Sequence, residues 1–186
     1  MFLETERLIL RKFREEDFAD YYVYAADREM CRMMGNYDLT DREAARSCFD
    51  WLKDKEERSY AIVRKEDGRV IGNLNVCAVP KELSGRPELA GLRGVSLSFC
   101  LSRDYRRQGL MEEAVRAVID ELFRVEGMDY IQCGYFDFNL PSEKFQEKLG
   151  FKRLTTSVID FDWSEEEFHS VENVLWRTDW HGTHSE

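Results

Sequence analysis

The sequence lacks any long hydrophobic run, since no stretch approaches the roughly 18 apolar residues that a membrane-spanning helix needs. Its first residues, MFLETERLILRKF, carry charges throughout and contain no apolar core of a secretory signal. We therefore expect no membrane partner and a cytoplasmic protein. An excess of positive charge is missing too: the formal net charge is −10, which argues against nucleic acid as the main partner.

Patterns of metal ligands are also absent. The cysteines are five in number and show no metal-ligand spacing: Cys31, Cys48, Cys77, Cys100 and Cys133. An odd number without a motif favours buried reduced thiols in a cytosolic protein over a disulfide framework. The three histidines all lie near the C-terminus, at His169, His181 and His184. We expect no metal cofactor.

What the chain does have is the composition of a globular protein. Of its 186 residues, 43% are hydrophobic and 34% are charged, which suits a chain that buries one core. No internal repeat and no linker interrupts it. The sequence therefore predicts a single domain over residues 1–186.

The most informative stretch is residues 95–124. Alternating apolar residues from Val95 to Leu101 predict a strand, and apolar residues at helical spacing from Leu110 onward predict a helix. The turn between them carries three arginines and ends at Gly109. A glycine just before a helix lets several backbone N–H groups converge on one point, an arrangement that binds a diphosphate. An ordinary strand–helix connection with solvated arginines is the alternative.

The amino-acid sequence of this turn resembles a known motif. The segment RRQGLM is similar to the Gln/Arg-x-x-Gly-x-Gly/Ala motif with which GNAT N-acetyltransferases bind acetyl-CoA, although Met111 stands where the family has glycine or alanine. The resemblance implies that backbone N–H groups of the segment hold the pyrophosphate, with phosphate contacts from the arginines. The implied cofactor-binding residues are Arg106, Arg107, Gln108, Gly109, Leu110 and Met111.

Further matches follow in family order along the chain. The opening TERLILRKFREEDF, residues 5–18, resembles the start of the RimJ/RimL branch of the GNAT family, and GRVIG at 68–72 resembles the family hairpin. The segment NLPSEKFQEKLGF, residues 139–151, resembles the signature that follows the fifth strand of the family. Together these matches span nearly the whole chain.

The resemblance implies an α+β, three-layer fold. The expected sheet is mixed and mostly antiparallel, is flanked by helices, and is splayed between its fourth and fifth strands, where acetyl-CoA lies. The acetyl carbonyl is then expected near the fourth-strand backbone of Phe99, Cys100 and Leu101. Asn139 is expected to bond the pantetheine arm, and Ser142 is expected to line the same cofactor site.

Acyl transfer to an amine needs a neutral amine, a bound oxyanion and a protonated leaving sulfur. In the RimJ/RimL branch the serine matching Ser142 protonates the thiolate; the alternative here is a serine that only caps a helix. Many relatives carry a glutamate in an E-x-G-Y pattern on the fourth strand, but this chain has Ser-Leu-Ser-Phe at residues 96–99. The base therefore stays open, and its candidates, besides water, are Tyr135, Asp137, Asp160 and Asp162.

Three local expectations complete the prediction. Thr40 and Glu43 match a capping box at the start of a helix. Residues 80–94, with two prolines, read as a mobile surface loop. The period of the central strand places Cys100 with Ser96 and Ser98, which we expect to face the site and not the core.

The resemblance implies an acetyl-CoA-dependent N-acetyltransferase that acts on a primary amine. Its RimJ/RimL character points to a peptide N-terminus as the acceptor. A small amine, such as an amino sugar, a polyamine or an antibiotic, is the alternative acceptor. A coenzyme A-binding module without transfer activity is a further alternative. The partners are then coenzyme A and the amine, in a monomer or a homodimer.

Overall fold

The computed structural model describes residues 2–54 and 58–182. The elements of these residues are, in order, β1 Leu3–Glu4, β2 Leu8–Arg11, α1 Phe18–Ala25, α2 Arg28–Met34, α3 Arg42–Asp54, β3 Ser59–Arg64, β4 Val70–Cys77, α4 Lys81–Ser84, β5 Gly94–Leu101, α5 Leu110–Asp120, β6 Tyr130–Phe136, α6 Leu140–Lys148, β7 Lys152–Ile159 and β8 Phe168–Trp176. Glu121–Val125 extends α5 as a π-helical turn. In these described ranges no helix is long and apolar enough to span a membrane.

The strands lie in the order β1-β2-β3-β4-β5-β6-β8-β7. Neighbours from β1 to β4 are antiparallel, as are β6 with β8 and β7 with β8. Strands β5 and β6 are parallel, and their register covers only Gly94–Ser96 against Tyr130–Gln132. The mixed, mostly antiparallel sheet with flanking helices confirms the predicted fold class. The short parallel ladder involves the strands that the resemblance counts as fourth and fifth, because β1 is an extra short strand.

The described residues form two compact units, the first from residues 2–76 and 99–118. Its core packs α1 and α3 on the sheet through aromatic rings: Phe49 lies 5.5 Å from Phe13 and 5.3 Å from Tyr21 between ring centroids. Ala61 and Val63 of β3 complete this cluster. The pair of Phe13 and Phe49 is edge-to-face, an arrangement that adds about 0.5–1.5 kcal/mol beyond the burial of the ring surface.

The second unit comprises residues 77–98 and 119–182 of the described chain. Its strands β6, β7 and β8 form one antiparallel ladder, and Phe136 packs edge-to-face on Phe168 at 5.0 Å. The prolines of segment 80–94 predict a mobile surface loop, but part of this segment is the short helix α4. Its Leu83 and Leu89 are buried, so two apolar side chains anchor the segment to the core.

The cap of α3 also differs from the prediction. Asp41, and not Thr40, is the N-cap, since its Oδ1 accepts the N–H of Ala44 at 2.8 Å. The Thr40 N–H donates instead to Asp38 Oδ1 at 2.8 Å. The predicted capping box does not form, because Thr40 and Asp41 can both act as N-cap and the Asp41 carboxylate accepts the helix N–H.

Glu113, in the first turn of α5, ties the N-terminal segment to this helix. Its Oε1 accepts from Thr5 Oγ1 at 2.6 Å and from the Arg7 N–H at 2.8 Å, while its Oε2 accepts from Arg7 Nε at 2.6 Å. Burial raises the pKa of Glu113, but the hydrogen bonds from Thr5 and Arg7 outweigh it and hold this pKa below its ordinary 4.5. The residues between β1 and β2 therefore fix the start of α5.

We expect Glu113→Gln to destabilise the protein by about 1–3 kcal/mol near neutral pH, because charge-assisted hydrogen bonds are lost. A carboxylate with a depressed folded-state pKa stabilises fully above its unfolded pKa, and this stability disappears as pH falls through the folded value. The difference in unfolding free energy between wild type and variant should therefore decrease below pH 4.5. Denaturant unfolding over a pH series measures this difference.

A suitable control is Glu112→Gln, which removes an i,i+4 ion pair with Arg116 at 3.1 Å. This surface pair should contribute only about 0.2–0.5 kcal/mol. An equal loss in both variants, or a Glu113→Gln loss that is independent of pH, would contradict the assignment.

Candidate functional site

The turn between β5 and α5 has two residues in the left-handed region, Arg107 with φ 61° and Gly109 with φ 75°. This conformation costs a residue with a Cβ about 1–2 kcal/mol, so glycine suits the second position. An ideal Cβ at Gly109 would have one atom within 4 Å, Arg7 Nη2 at 3.5 Å. The first N–H groups of a helix have no acceptor within the helix, so α5 starts with N–H donors that a ligand could use. This backbone fits the diphosphate of acetyl-CoA.

The three arginines of the turn do not form one patch. Arg103 is ion-paired with Asp27 at 3.2 Å and with Glu29, so its charge is balanced by carboxylates at the start of α2. Arg106 donates from Nε to the Leu101 carbonyl at 3.2 Å, and Arg107 is exposed. The phosphate contacts expected of Arg106 and Arg107 therefore stay a prediction.

Another arginine reaches the turn from the N-terminal segment. Arg7 donates from Nη1 to the Gln108 carbonyl at 2.9 Å while Glu113 holds its Nε. A surface pocket of about 370 Å³ adjoins this contact, and its lining residues are Glu6, Arg7, Arg64, Lys65, Glu66, Gln108 and Leu110. The prediction from sequence missed Arg7, although the TERL segment that contains it was recognised as part of a family match.

The remaining residues of the predicted cofactor segment differ in exposure. Leu110 is buried in the core and Met111 is partly buried, so both offer backbone to a ligand more than side chain. The Gln108 side chain donates to the Asp104 carbonyl at 3.2 Å, which closes the turn on itself.

The end of β5 lies against β4. Gly72 permits this approach, because a Cβ there would stand 2.2 Å from the Cys100 carbonyl oxygen. Phe99 is partly exposed and Leu101 is buried.

The strand period predicts that the Cys100 thiol faces the site and not the core. In the structure this thiol faces the core. It packs against the cluster of α1 and α3 and donates to Asn73 Oδ1 at 2.9 Å. Burial raises the pKa of Cys100 to about 12, so the thiol is protonated at neutral pH. Asn73 explains the difference, because it gives a polar partner to the thiol, and also to Tyr24 at 3.2 Å, within an apolar cluster.

In the second unit, Asn139 caps α6. Its Oδ1 accepts the N–H of Ser142 at 3.2 Å, and Pro141 lies in the first turn, where a missing N–H costs nothing. The Ser142 hydroxyl oxygen accepts from Gln146 Nε2 at 3.1 Å. The capping role that the sequence left open for Ser142 therefore belongs to Asn139. Gln146 was not singled out, because a single glutamine in an amphipathic helix usually faces solvent.

The candidate bases differ in their surroundings. Tyr135 donates to Glu143 Oε1 at 3.2 Å, and its pKa is raised by burial and by this carboxylate, so it is protonated at neutral pH. Asp137 follows β6 with an exposed side chain. Asp160 and Asp162 are exposed in the connection between β7 and β8. Tyr135 thus lies close to the start of α6, which carries Ser142, while Asp160 and Asp162 lie on a separate connection.

Among the described residues, no group of three or more histidine, cysteine or acidic side chains is arranged to hold a metal ion.

Comparisons with known proteins agree with this architecture. Residues 7–152 match the family described as Acetyltransferase (GNAT) domain. An uncharacterized N-acetyltransferase of Bacillus licheniformis, p20, is 29% identical over 155 residues, which cover 81% of this chain and 82% of that protein.

Solved structures share the fold. An acetyltransferase (GNAT family) from Bacillus anthracis has a TM-score of 0.79 at 18% identity, covering 96% of this chain and 99% of its own. The ribosomal-protein-S5-alanine acetyltransferase of Vibrio fischeri has 0.70 at 15%, covering 97% and 98%. The spermidine N-acetyltransferase of Vibrio cholerae, in complex with CoA and spermine, has 0.73 at 12%, covering 94% and 98%. The chain therefore belongs to the GNAT family of acetyltransferases and is an acyltransferase.

Proposed function

We propose that this chain, acting as one domain in the cytoplasm, transfers an acetyl group from acetyl-CoA to a primary amine. The observation that carries the proposal is the β5–α5 turn, with Gly109 in the left-handed region directly before a helix of eleven residues. Backbone N–H groups of residues 108–111 would hold the diphosphate. Arg106 and Arg107 would add positive charge, and Arg7 supports the turn through its bond to the Gln108 carbonyl.

Acetyl-CoA supplies a thioester: the amine nitrogen forms the new N–C bond, the C–S bond breaks, nitrogen loses a proton and sulfur gains one. Backbone N–H groups of residues 99–101 would stabilise the charge that develops on the acetyl oxygen. Asn139 would bond the pantetheine arm. Ser142 would give its hydroxyl proton to the departing sulfur and recover one from water.

The proton that leaves nitrogen needs an acceptor. Tyr135 is poorly suited, because its hydroxyl is protonated at neutral pH and already donates to Glu143. We propose that the exposed carboxylate of Asp137 passes this proton to solvent, with water alone as the alternative path.

For the acceptor we propose a peptide N-terminal α-amine, as the RimJ/RimL resemblance implies. The fold shared with the Vibrio fischeri enzyme is compatible with this, and the fold shared with the spermidine enzyme makes a polyamine the second candidate. Both acceptors are cations at neutral pH, which suits a chain of net charge −10. Charge alone does not distinguish them.

An acceptor test separates these readings. The purified chain is incubated with acetyl-CoA and either a basic peptide that begins with alanine or spermidine, and thiol release is followed together with the mass of the acceptor. We expect thiol release that depends on the peptide, with one acetyl group on its N-terminus. Acetylated spermidine and an unmodified peptide would support the polyamine reading. Binding of acetyl-CoA without any acetylated amine would point to a binding module.

Gly109→Val should weaken acetyl-CoA binding strongly, because a branched side chain would occupy the space beside the free N–H groups. The backbone strain of this variant needs its own control. Gly68→Val provides it, since Gly68 has a similar φ of 71° and no atom within 4 Å of an ideal Cβ. Calorimetric titration should show binding lost in the first variant and retained in the second. Wild-type affinity in a folded Gly109→Val protein would exclude the turn as the diphosphate site.

Ser142→Ala should lower kcat about 10²-fold, the lower end for one positioned proton donor, with little change in the KM for acetyl-CoA. Because Asn139 provides the cap, the stability loss should come from the buried Gln146 N–H that loses its acceptor, about 1–3 kcal/mol. Asn139→Ala is the complementary variant and should lose about 1 kcal/mol of stability. Full turnover in a folded Ser142→Ala protein would rule out the acid role.

A further inference from the structure

The side chain of Gln146 is buried in the second unit and has three hydrogen bonds. Its Nε2 donates to the Gly134 carbonyl at 3.3 Å and to Ser142 Oγ at 3.1 Å, and its Oε1 accepts from Asn173 Nδ2 at 3.0 Å. Gln146 is 0% exposed and Asn173 is 4% exposed. A buried amide with every contact satisfied in this way is held in one orientation.

The orientation of this amide follows from chemistry. A backbone carbonyl can only accept, so the atom of Gln146 that faces Gly134 must be the amide nitrogen. Turning the amide over would set two oxygens against each other at Gly134 and two NH₂ groups against each other at Asn173. The Gly134 carbonyl therefore specifies the orientation, the Asn173 contact agrees with it, and Gln146 must act as donor toward Ser142.

Gly134 is itself held in place. A Cβ at this residue would lie 2.7 Å from Glu172 Oε2, so the backbone of β6 passes directly beside a buried carboxylate. That carboxylate is fixed by Gln132 Nε2 at 2.5 Å and by Ser170 Oγ at 2.6 Å. The carbonyl that orients Gln146 thus belongs to a rigid part of the sheet.

The consequence for Ser142 is a hydroxyl with a defined direction. Its oxygen accepts from Gln146, and within the described residues this is the hydrogen bond that its Oγ makes. The hydroxyl hydrogen is then available to donate to a further group. A donor on Oγ also stabilises the negative charge that grows there when the proton leaves, as does the N-terminus of α6.

We propose that Gln146 is a positioning residue, which keeps the Ser142 hydroxyl as a hydrogen-bond donor toward the sulfur of coenzyme A. This inference rests on the proposed function, in which Ser142 meets that sulfur. In the transfer step the Ser142 O–H bond breaks and the S–H bond forms. The charge left on Oγ is stabilised by the Gln146 N–H until water returns the proton. Without Gln146, the hydroxyl is free to rotate and to donate elsewhere.

The test uses coenzyme A itself, so it needs no acceptor. A hydrogen bond donated to sulfur stabilises the thiolate, so more of the bound thiol is ionised at a pH near 8.5, the ordinary range of thiols. The ultraviolet absorbance of the thiolate is compared for wild type, Ser142→Ala, Gln146→Met and the double variant. We expect each single variant to lower the ionised fraction, and the double variant to equal Ser142→Ala, because Gln146 acts only through Ser142.

The outcomes separate the inference from the function on which it rests. If Ser142→Ala lowers the thiolate fraction but Gln146→Met does not, or if the two losses add, the role of Gln146 is overturned and the acid role of Ser142 stands. If Ser142→Ala has no effect, Ser142 does not meet the sulfur and both fail. Turnover gives a parallel readout: Gln146→Met should lower kcat about tenfold and leave KM for acetyl-CoA unchanged.

Two further variants guard against a loss of folding. Gln146→Glu keeps the shape of the side chain but replaces the donor by acceptors, and it should lower the thiolate fraction as Gln146→Met does. Ser59→Ala removes another buried hydrogen-bonding side chain, which bonds Asn75 and not the Gln146 network. It should lower stability but leave the thiolate signal of bound coenzyme A unchanged. A thiolate loss in Ser59→Ala as large as in Gln146→Met would contradict the proposal.

Discussion

The carboxylate of Glu113 is the contact on which the geometry of the β5–α5 turn depends. It accepts three hydrogen bonds from two residues of the N-terminal segment, and one of these, Arg7, also donates to the Gln108 carbonyl. The turn contains a non-glycine residue in the left-handed region, Arg107, which costs about 1–2 kcal/mol. Contacts from outside the turn are therefore needed to keep it in one conformation. Because Arg7 bonds the Gln108 carbonyl, it does not occupy the N–H groups at the start of α5, to which the proposed function assigns the diphosphate.

Each of the two units contains a buried polar side chain that is fixed by partners distant in sequence. In the first unit Asn73 accepts from Cys100 and Tyr24, so a thiol and a hydroxyl are held within an apolar cluster. In the second unit Gln146 bonds residues of β6, β8 and its own helix. An unsatisfied buried polar group costs about 1–3 kcal/mol, so each such network is stable in one arrangement only. That uniqueness is what the proposed role of Ser142 as a proton donor requires.

The sequence predicted those features that depend on neighbours along the chain. The alternation from Val95 to Leu101 and the apolar spacing from Leu110 gave a strand and a helix, and Gly109 has the positive φ that a glycine turn indicates. Local rules failed where two candidates compete, as at the α3 cap, which Asp41 takes from Thr40. The contacts of Glu113 and Gln146 could not be read from periodicity. Glu113 meets Arg7 across 106 positions of sequence, and Gln146 meets Asn173 across 27.

The central claim is that the backbone at the start of α5 binds the diphosphate of acetyl-CoA. Amide chemical shifts of the isotope-labelled protein, followed by nuclear magnetic resonance during titration with acetyl-CoA, test it directly. Amides that gain an acceptor should move downfield, and we expect the largest such shifts at Gln108, Gly109, Leu110 and Met111. Saturable binding that leaves these four amides unmoved would contradict the account.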